Sequence, residues 1–154
     1  MSELRRKDRA ISVEEAVEVL KKAEYGVLST ISPDGSPYGV PLNFCVIDKA
    51  IYFHSAVEGR KIDNIRTAAS VSFCAVGATE VMPEKFGTKY ESVIVSGTIS
   101  EVFEQEKQAA LEGLVQKYSG SYFDSGLAYI EKLREKTRVF KISVVQLSGK
   151  ARRA

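Results

Sequence analysis

The sequence predicts a mainly β fold, a small antiparallel barrel with peripheral helices, and three observations carry that expectation. About six segments have the alternation or the apolar character of strands. Short turns join most of them, and the helical periodicities are confined to connections and to the N-terminal end.

The first element is helical. "SVEEAVEVLKKA" opens on Ser12 with Glu15 three residues later, and Val13, Ala16, Val17 and Leu20 recur at helical spacing, which makes a capping box followed by an amphipathic helix. "YGVLSTI" is strand-like, and "SPDGS" supplies the turn into a second extended run, so the pair reads as a hairpin. In "YGVPLNFCVI", Tyr38, Val40, Leu42, Phe44 and Val46 fall on one face, with Gly39, Pro41, Asn43 and Cys45 on the other. Pro41 has no N–H to give to a ladder and therefore belongs at an edge or beside a bulge. That small, polar face beside irregular backbone suits a flat ligand.

"DKA" turns the chain into the strand "IYFHS". "EGRKIDNIRT" then reads as a short helix starting near Glu58, and "ASVSFCAV" as another strand. The stretch from Gly77 to Thr88 is expected to be a loop. "KYESVIVSGTISEVF" is a long strand with Val93, Val95 and Ile99 on one face, and Gly97 marks a bend or bulge. The helix "EQEKQAALEGLVQKYS" follows, "GSYFDSG" breaks it, and "LAYIEKLREK" is a further short helical piece. The last strand, "RVFKISVVQLS", changes parity at Val144 and Val145, as a bulged barrel strand does.

At 154 residues, 44% hydrophobic and 27% charged, the chain is expected to form a single globular domain over 1–154. No apolar run approaches the ~20 residues of a membrane span, and the N-terminus lacks the apolar stretch of a secretory signal, so a cytoplasmic location without a membrane partner is expected. Cys45 and Cys74 sit in apolar runs and read as small hydrophobes rather than a disulfide. A net charge of +2 argues against a nucleic-acid partner. The basic clusters Arg5, Arg6, Lys7, Arg9 and Lys150, Arg152, Arg153 read as solvated tails, the sharper alternative being a tail that reaches an anionic ligand.

One histidine and two distant cysteines provide no zinc spacing, and no metal site is expected. There is no Walker loop, no GxGxxG opening a helix and no GxSxG elbow. What remains is the strand-to-helix junction "YFHSAVEGRKIDNIR". His54, Ser55 and the following amides lie near a helix N-terminus, whose unpaired N–H groups attract phosphate. Gly59 permits close approach, and Arg60 and Lys61 add a forked donor and a compact charge. Spacing alone leaves two readings open, an anion site or a surface helix with a solvated basic pair.

Taken together, "RRKDRAIS", "YGVLSTISPDGSPYGVPLNF", "IYFHSAVEGRKIDNIR" and "SVSFCAV" resemble the pyridoxamine 5′-phosphate oxidase-like flavoproteins, specifically their nitroimidazole-resistance (Nim-type) branch. The resemblance implies a split β-barrel of the FMN-binding type, forming homodimers with FMN at the subunit interfaces. Carried over, Val40, Pro41, Leu42 and Asn43 would run along the isoalloxazine ring, and Thr30 would reach the ring or ribityl chain. The "HSA" and "EGRK" segments, with Ser55, Ala56, Arg60 and Lys61, would hold the cofactor's phosphate end, and His54 would lie near the flavin edge, where the Nim-type proteins also have a histidine. The "KYESV" segment of the second subunit would form the other wall.

The implied activity is an FMN-dependent oxidoreductase that takes reducing equivalents from a nicotinamide donor and passes them to a small acceptor such as a nitroaromatic compound. His54 would be its catalytic proton donor or substrate orienter. The alternative is a non-catalytic FMN- or haem-binding module for storage or sensing, with His54 the only histidine able to ligate haem iron. The chain ends in "SGKARRA" and lacks the C-terminal substrate signature associated with true pyridoxamine 5′-phosphate oxidases, so vitamin B6 oxidation is not expected. Lys150 and Arg152 are left as residues that could approach the site.

Overall fold

The computed structural model describes residues 3–154. The elements run β1 (Ala10–Ile11), α1 (Val13–Lys22), β2 (Gly26–Ile31), β3 (Pro37–Leu42), β4 (Cys45–Ile47), β5 (Ala50–Ser55), α2 (Arg60–Thr67), β6 (Ser70–Val76), β7 (Glu80–Met82), β8 (Gly87–Val102), α3 (Glu104–Ser119), α4 (Phe123–Leu133) and β9 (Arg138–Arg152). The main sheet has the order β3-β2-β6-β8-β9-β5-β4, with β1 added to β9 and β7 to β8. Every pairing is antiparallel. The two end strands β3 and β4 do not pair with each other, so the curled sheet is a split barrel and not a closed one.

Local sequence explains much of this frame. The Ser12 side chain accepts from the Glu15 N–H at 3.1 Å and caps α1, whereas the Glu15 carboxylate leaves the capping box to pair with Arg153 at 3.0 Å. In the turn after β2, Gly35 takes φ +85 and its N–H reaches the Ser32 carbonyl at 2.8 Å. β3 pairs only with β2, so Pro41 lies on an edge strand as its missing donor requires.

The bulge falls where parity changes. Ser96 faces Gln146 but Gly97 faces Val144, leaving Val145 over. A Cβ on Gly97 would come within 2.6 Å of both the Ser143 carbonyl oxygen and Ile142, so glycine lets the two long strands cross here.

Among the described residues, nine strands replace the six expected. The 38–46 run divides at Asn43 and Phe44 into β3 and β4, because the Tyr118 hydroxyl of α3 takes over the backbone pairing. It accepts from the Phe44 N–H at 3.1 Å and donates to the Glu24 carbonyl at 2.6 Å. The expected loop from Gly77 to Thr88 contains a hairpin, β7 against β8, turned by residues 83–85 and by Phe86 at φ 51. The basic C-terminus is not a solvated tail either. Lys150 lies within β9 between Ala10 and Ser92, and Arg153 pairs with Glu15 and Glu91. The second helix starts at Arg60, two residues after Glu58.

Two cores result. Inside the barrel, Leu28, Phe44, Ile51, Phe53, Phe73, Val93, Val95 and Ile142 are fully buried, with Ala16, Val19 and Leu20 of α1 and Ile62 of α2 packed against them. Outside, α3 and α4 cover the opposite face of β4, β5 and β9, where Cys45, Tyr52 and Val139 meet Ala110, Leu111, Leu114 and Ile130. The cysteines are free thiols. No helix of the described residues is long and apolar enough to cross a membrane.

Candidate phosphate rim and its surroundings

β2 and β5 run in the same direction through the sheet, so their C-terminal ends meet at one rim of the barrel, and α2 sits on that rim. The buried polar side chains of the described residues are Thr30, Ser32, Ser55 and Asn64, carried by β2, the turn directly after it, β5 and α2. Asn64 Nδ2 donates to Thr30 Oγ1 at 3.0 Å and to Ser32 Oγ at 3.3 Å. Arg60 Nη2 donates to Ser32 Oγ at 3.1 Å, and its guanidinium lies 4.4 Å from the centre of the Tyr38 ring. Asn64 is one helical turn on from Arg60, so both reach the Ser32 hydroxyl, and Asn64 alone also reaches Thr30 in β2.

The N-terminus of α2 is built open. Gly59 caps it with φ +143 and no side-chain hydrogen bond, and a Cβ there would meet nothing within 4 Å. The first-turn N–H groups therefore face outward beside Arg60 and Lys61. Arg138 fixes the approach to this turn by donating to the Val57 carbonyl at 3.3 Å while it pairs with Glu101.

The ten residues proposed for cofactor contact do not form one cluster. Thr30, Ser55, Ala56, Arg60 and Lys61 belong to the α2 rim, although Thr30 and Ser55 are buried and Thr30 is already held by Asn64. Val40 and Leu42 turn their side chains against the barrel core, so a ring on the outer face of β3 would meet Pro41 and the backbone of its neighbours. Asn43 lies at the far end of β3, about 17 Å along the strand from Tyr38. It is exposed, among Lys21, Lys22, Tyr25, Lys117 and Tyr118.

His54 points away from the barrel interior. It lines a cavity of about 170 Å³ with Leu111, Leu114, Tyr129, Leu133 and Arg134 of the helical layer. Part of its ring remains open to solvent, yet the surrounding protein, and then the charge of Lys61, push its pKa below the usual value. The imidazole is thus neutral at pH 7, which disfavours a standing imidazolium proton donor. Because the folded state resists a proton that the unfolded chain accepts, stability should fall as pH drops below about 6.5. His54→Gln should remove that part of the slope in denaturant melts between pH 7 and 5, and an unchanged slope would contradict it.

Ser32, Tyr38 and Asn64 escaped the sequence reading. Asn64 left a signal, since asparagine is a poor helix former and stands four residues from Arg60. Ser32 and Tyr38 left none, being ordinary residues of a turn and a strand.

The sequence profile described as pyridoxamine 5′-phosphate oxidase matches residues 12–151. No curated protein matches. Among solved structures, a conserved hypothetical protein from Mycobacterium tuberculosis superposes with a TM-score of 0.82 at 22% identity, covering 97% of this chain and 90% of that one. A candidate 5-nitroimidazole antibiotic resistance protein from Bacteroides thetaiotaomicron gives 0.74 at 23% identity, covering 92% and 85%. A FAD-binding protein from Mesorhizobium loti gives 0.65 at 26% identity, covering 94% and 98%. With the profile running from the cap of α1 almost to the end of β9 on a split barrel, the chain belongs to the pyridoxamine 5′-phosphate oxidase family.

Proposed function

We propose that this chain is an FMN-binding oxidoreductase that passes reducing equivalents from a nicotinamide donor to a small acceptor such as a nitroaromatic compound. The observation that carries the reading is the α2 rim. A helix N-terminus without a side-chain cap, a glycine that leaves room for close approach, and an Arg–Lys pair in the first helical turn together suit a terminal phosphate. These residues fit the phosphate end of FMN, and the outer face of β3, with Gly39 and Pro41, is flat enough to lie along a ring.

When bound, the flavin supplies the hydride and electron chemistry. The chain's own residues bind and orient. Arg60 and Lys61 neutralise the phosphate, Asn64 and Ser32 hold Arg60 and α2 in place, and His54 offers a neutral imidazole as an acceptor or orienter of a small ligand.

Homodimerisation belongs to the same reading. The outward residues of β2, β6 and the middle of β8 are Val27, Ser29, Ile31, Ser70, Ser72, Cys74, Val76, Ser92, Ile94, Ser96 and Thr98, and none is charged. Ile31 and Val76 are each 46% exposed. An uncharged sheet face of this width suits a second copy.

The test is the absorbance spectrum of the purified protein and after reconstitution with FMN or FAD, followed by NADH or NADPH oxidation with a 5-nitroimidazole. Bound flavin with turnover supports the reading, and no flavin spectrum after reconstitution overturns it. Light scattering should give a dimer. The FAD-binding relative makes FAD the natural comparison ligand.

A haem-binding module is the second reading, favoured by the position of the sole histidine in an apolar cavity. The cavity is smaller than the ~300–1,000 Å³ of ordinary ligand pockets, so haem would require α4 to move. Tight haem binding lost in His54→Ala, with weak FMN binding, would favour it.

A further inference from the structure

At the rim opposite α2, the C-terminal parts of α1 and α3 and the β3–β4 junction line an open pocket of about 590 Å³. Lys21, Lys22, Glu24, Tyr25, Asn43, Lys117 and Tyr118 line it, so three lysines stand against one glutamate. Lys117 Nζ is the one buried side-chain nitrogen or oxygen among the described residues that has no hydrogen-bond partner. It rests 3.8 Å from the centre of the Phe44 ring and 5.2 Å from that of Tyr118.

A buried ammonium held only by aromatic faces is costly, because three donors are left without acceptors. Burial accordingly lowers the Lys117 pKa. The neighbouring groups do not relieve it. Cys45 is held as a neutral thiol by burial, its pKa pushed up to about 11, and the Tyr118 hydroxyl is engaged with Phe44 and Glu24. A methionine of similar length would cover Phe44 without the penalty. The charge has a use only when an acceptor arrives, and a lysine stem is flexible enough to bring Nζ out to it. The Asn43 side chain, exposed in the same pocket, adds an amide donor.

We infer that this pocket is an anion site, in which Lys117 moves off the Phe44 ring to pair with the carboxylate or phosphate oxygens of a small ligand, with Lys21, Lys22 and Asn43 around it. The site stands apart from the α2 rim, at the other end of β3, and does not depend on flavin binding.

Thermal melts with inorganic phosphate and with acetate, at ionic strength matched by sodium chloride, test it on the full chain. Wild type should show a saturable rise in Tm with at least one of the two anions. A response to phosphate alone points to a phosphate ester, and a response to both to a site that accepts carboxylates. Lys117→Met should be at least as stable as wild type without added anion and should bind about tenfold or more weakly. Lys21→Gln/Lys22→Gln should weaken binding by less.

No saturable response in wild type, or a full response in Lys117→Met, overturns the site. Should Lys117→Met fail to fold, the NMR signal of ¹³C-dimethylated Lys117 in the otherwise native chain takes its place: it must shift on titration, and a silent signal overturns the site. The same melts on flavin-loaded protein separate this inference from the flavin reading. A response in both states leaves the site independent, and one abolished by bound FMN means that the flavin phosphate occupies this pocket, which overturns it.

Discussion

Arg60→Ala/Lys61→Ala is expected to bind FMN about a thousandfold more weakly than wild type, measured by quenching of flavin fluorescence. A hydrogen bond to a charged group contributes about 1.5–3 kcal/mol, and two such donors lost together give a factor of that order. Riboflavin provides the control, because it lacks the phosphate. Its affinity should be almost the same in wild type and double variant. Arg60 also holds Ser32 and stacks on Tyr38, so the melting curve of the variant must accompany the titration. If FMN and riboflavin lose affinity alike, the pair supports the fold of the rim and not the phosphate. If neither loses affinity, the rim is not the cofactor site.

Asn64→Ala is expected to cost about 2–4 kcal/mol of stability, since it leaves a cavity under α2 and removes the donor shared by two buried hydroxyls. Asn64 is 1% exposed, and Thr30 and Ser32, its two partners, are 1% and 7% exposed. In urea melts the midpoint should fall with little change in slope. The same variant should weaken FMN more than riboflavin, because α2 would no longer hold its first-turn amides in a fixed direction. A loss below about 0.5 kcal/mol would mean that Ile62 and Ile65 alone seat the helix.

These two variants differ in how far the sequence announced them. The Gly-Arg-Lys run after a strand was legible as a candidate anion site, beside the alternative of a solvated basic pair, because glycine, two cations and a helix start stand within a few residues. The network beneath it was not visible, since Asn64 and Ser32 are 32 residues apart and nothing local says that a helix and a hairpin turn will touch. The same division holds for the strands. Gly97 and the Val144–Val145 parity change both pointed to the bulge, and the register puts them opposite one another. The division of β3 from β4 escaped notice because its cause, the Tyr118 hydroxyl, lies 74 residues away.

The sequence by itself determined α1 with its Ser12 cap, the long β8 and β9, the edge position of Pro41 and the basic first turn of α2, because each rests on periodicity or on the chemistry of a few neighbouring residues. Only the tertiary structure decided that Val40 and Leu42 face the core, that His54 leaves the barrel for the helical layer, that the basic C-terminus is a strand and that the Nζ of Lys117 is buried without a hydrogen bond. The physical reason is common to all four. Which face of a strand is covered, and which charge finds a partner, depends on what the curled sheet and its helices bring from distant parts of the chain, and no local pattern encodes it.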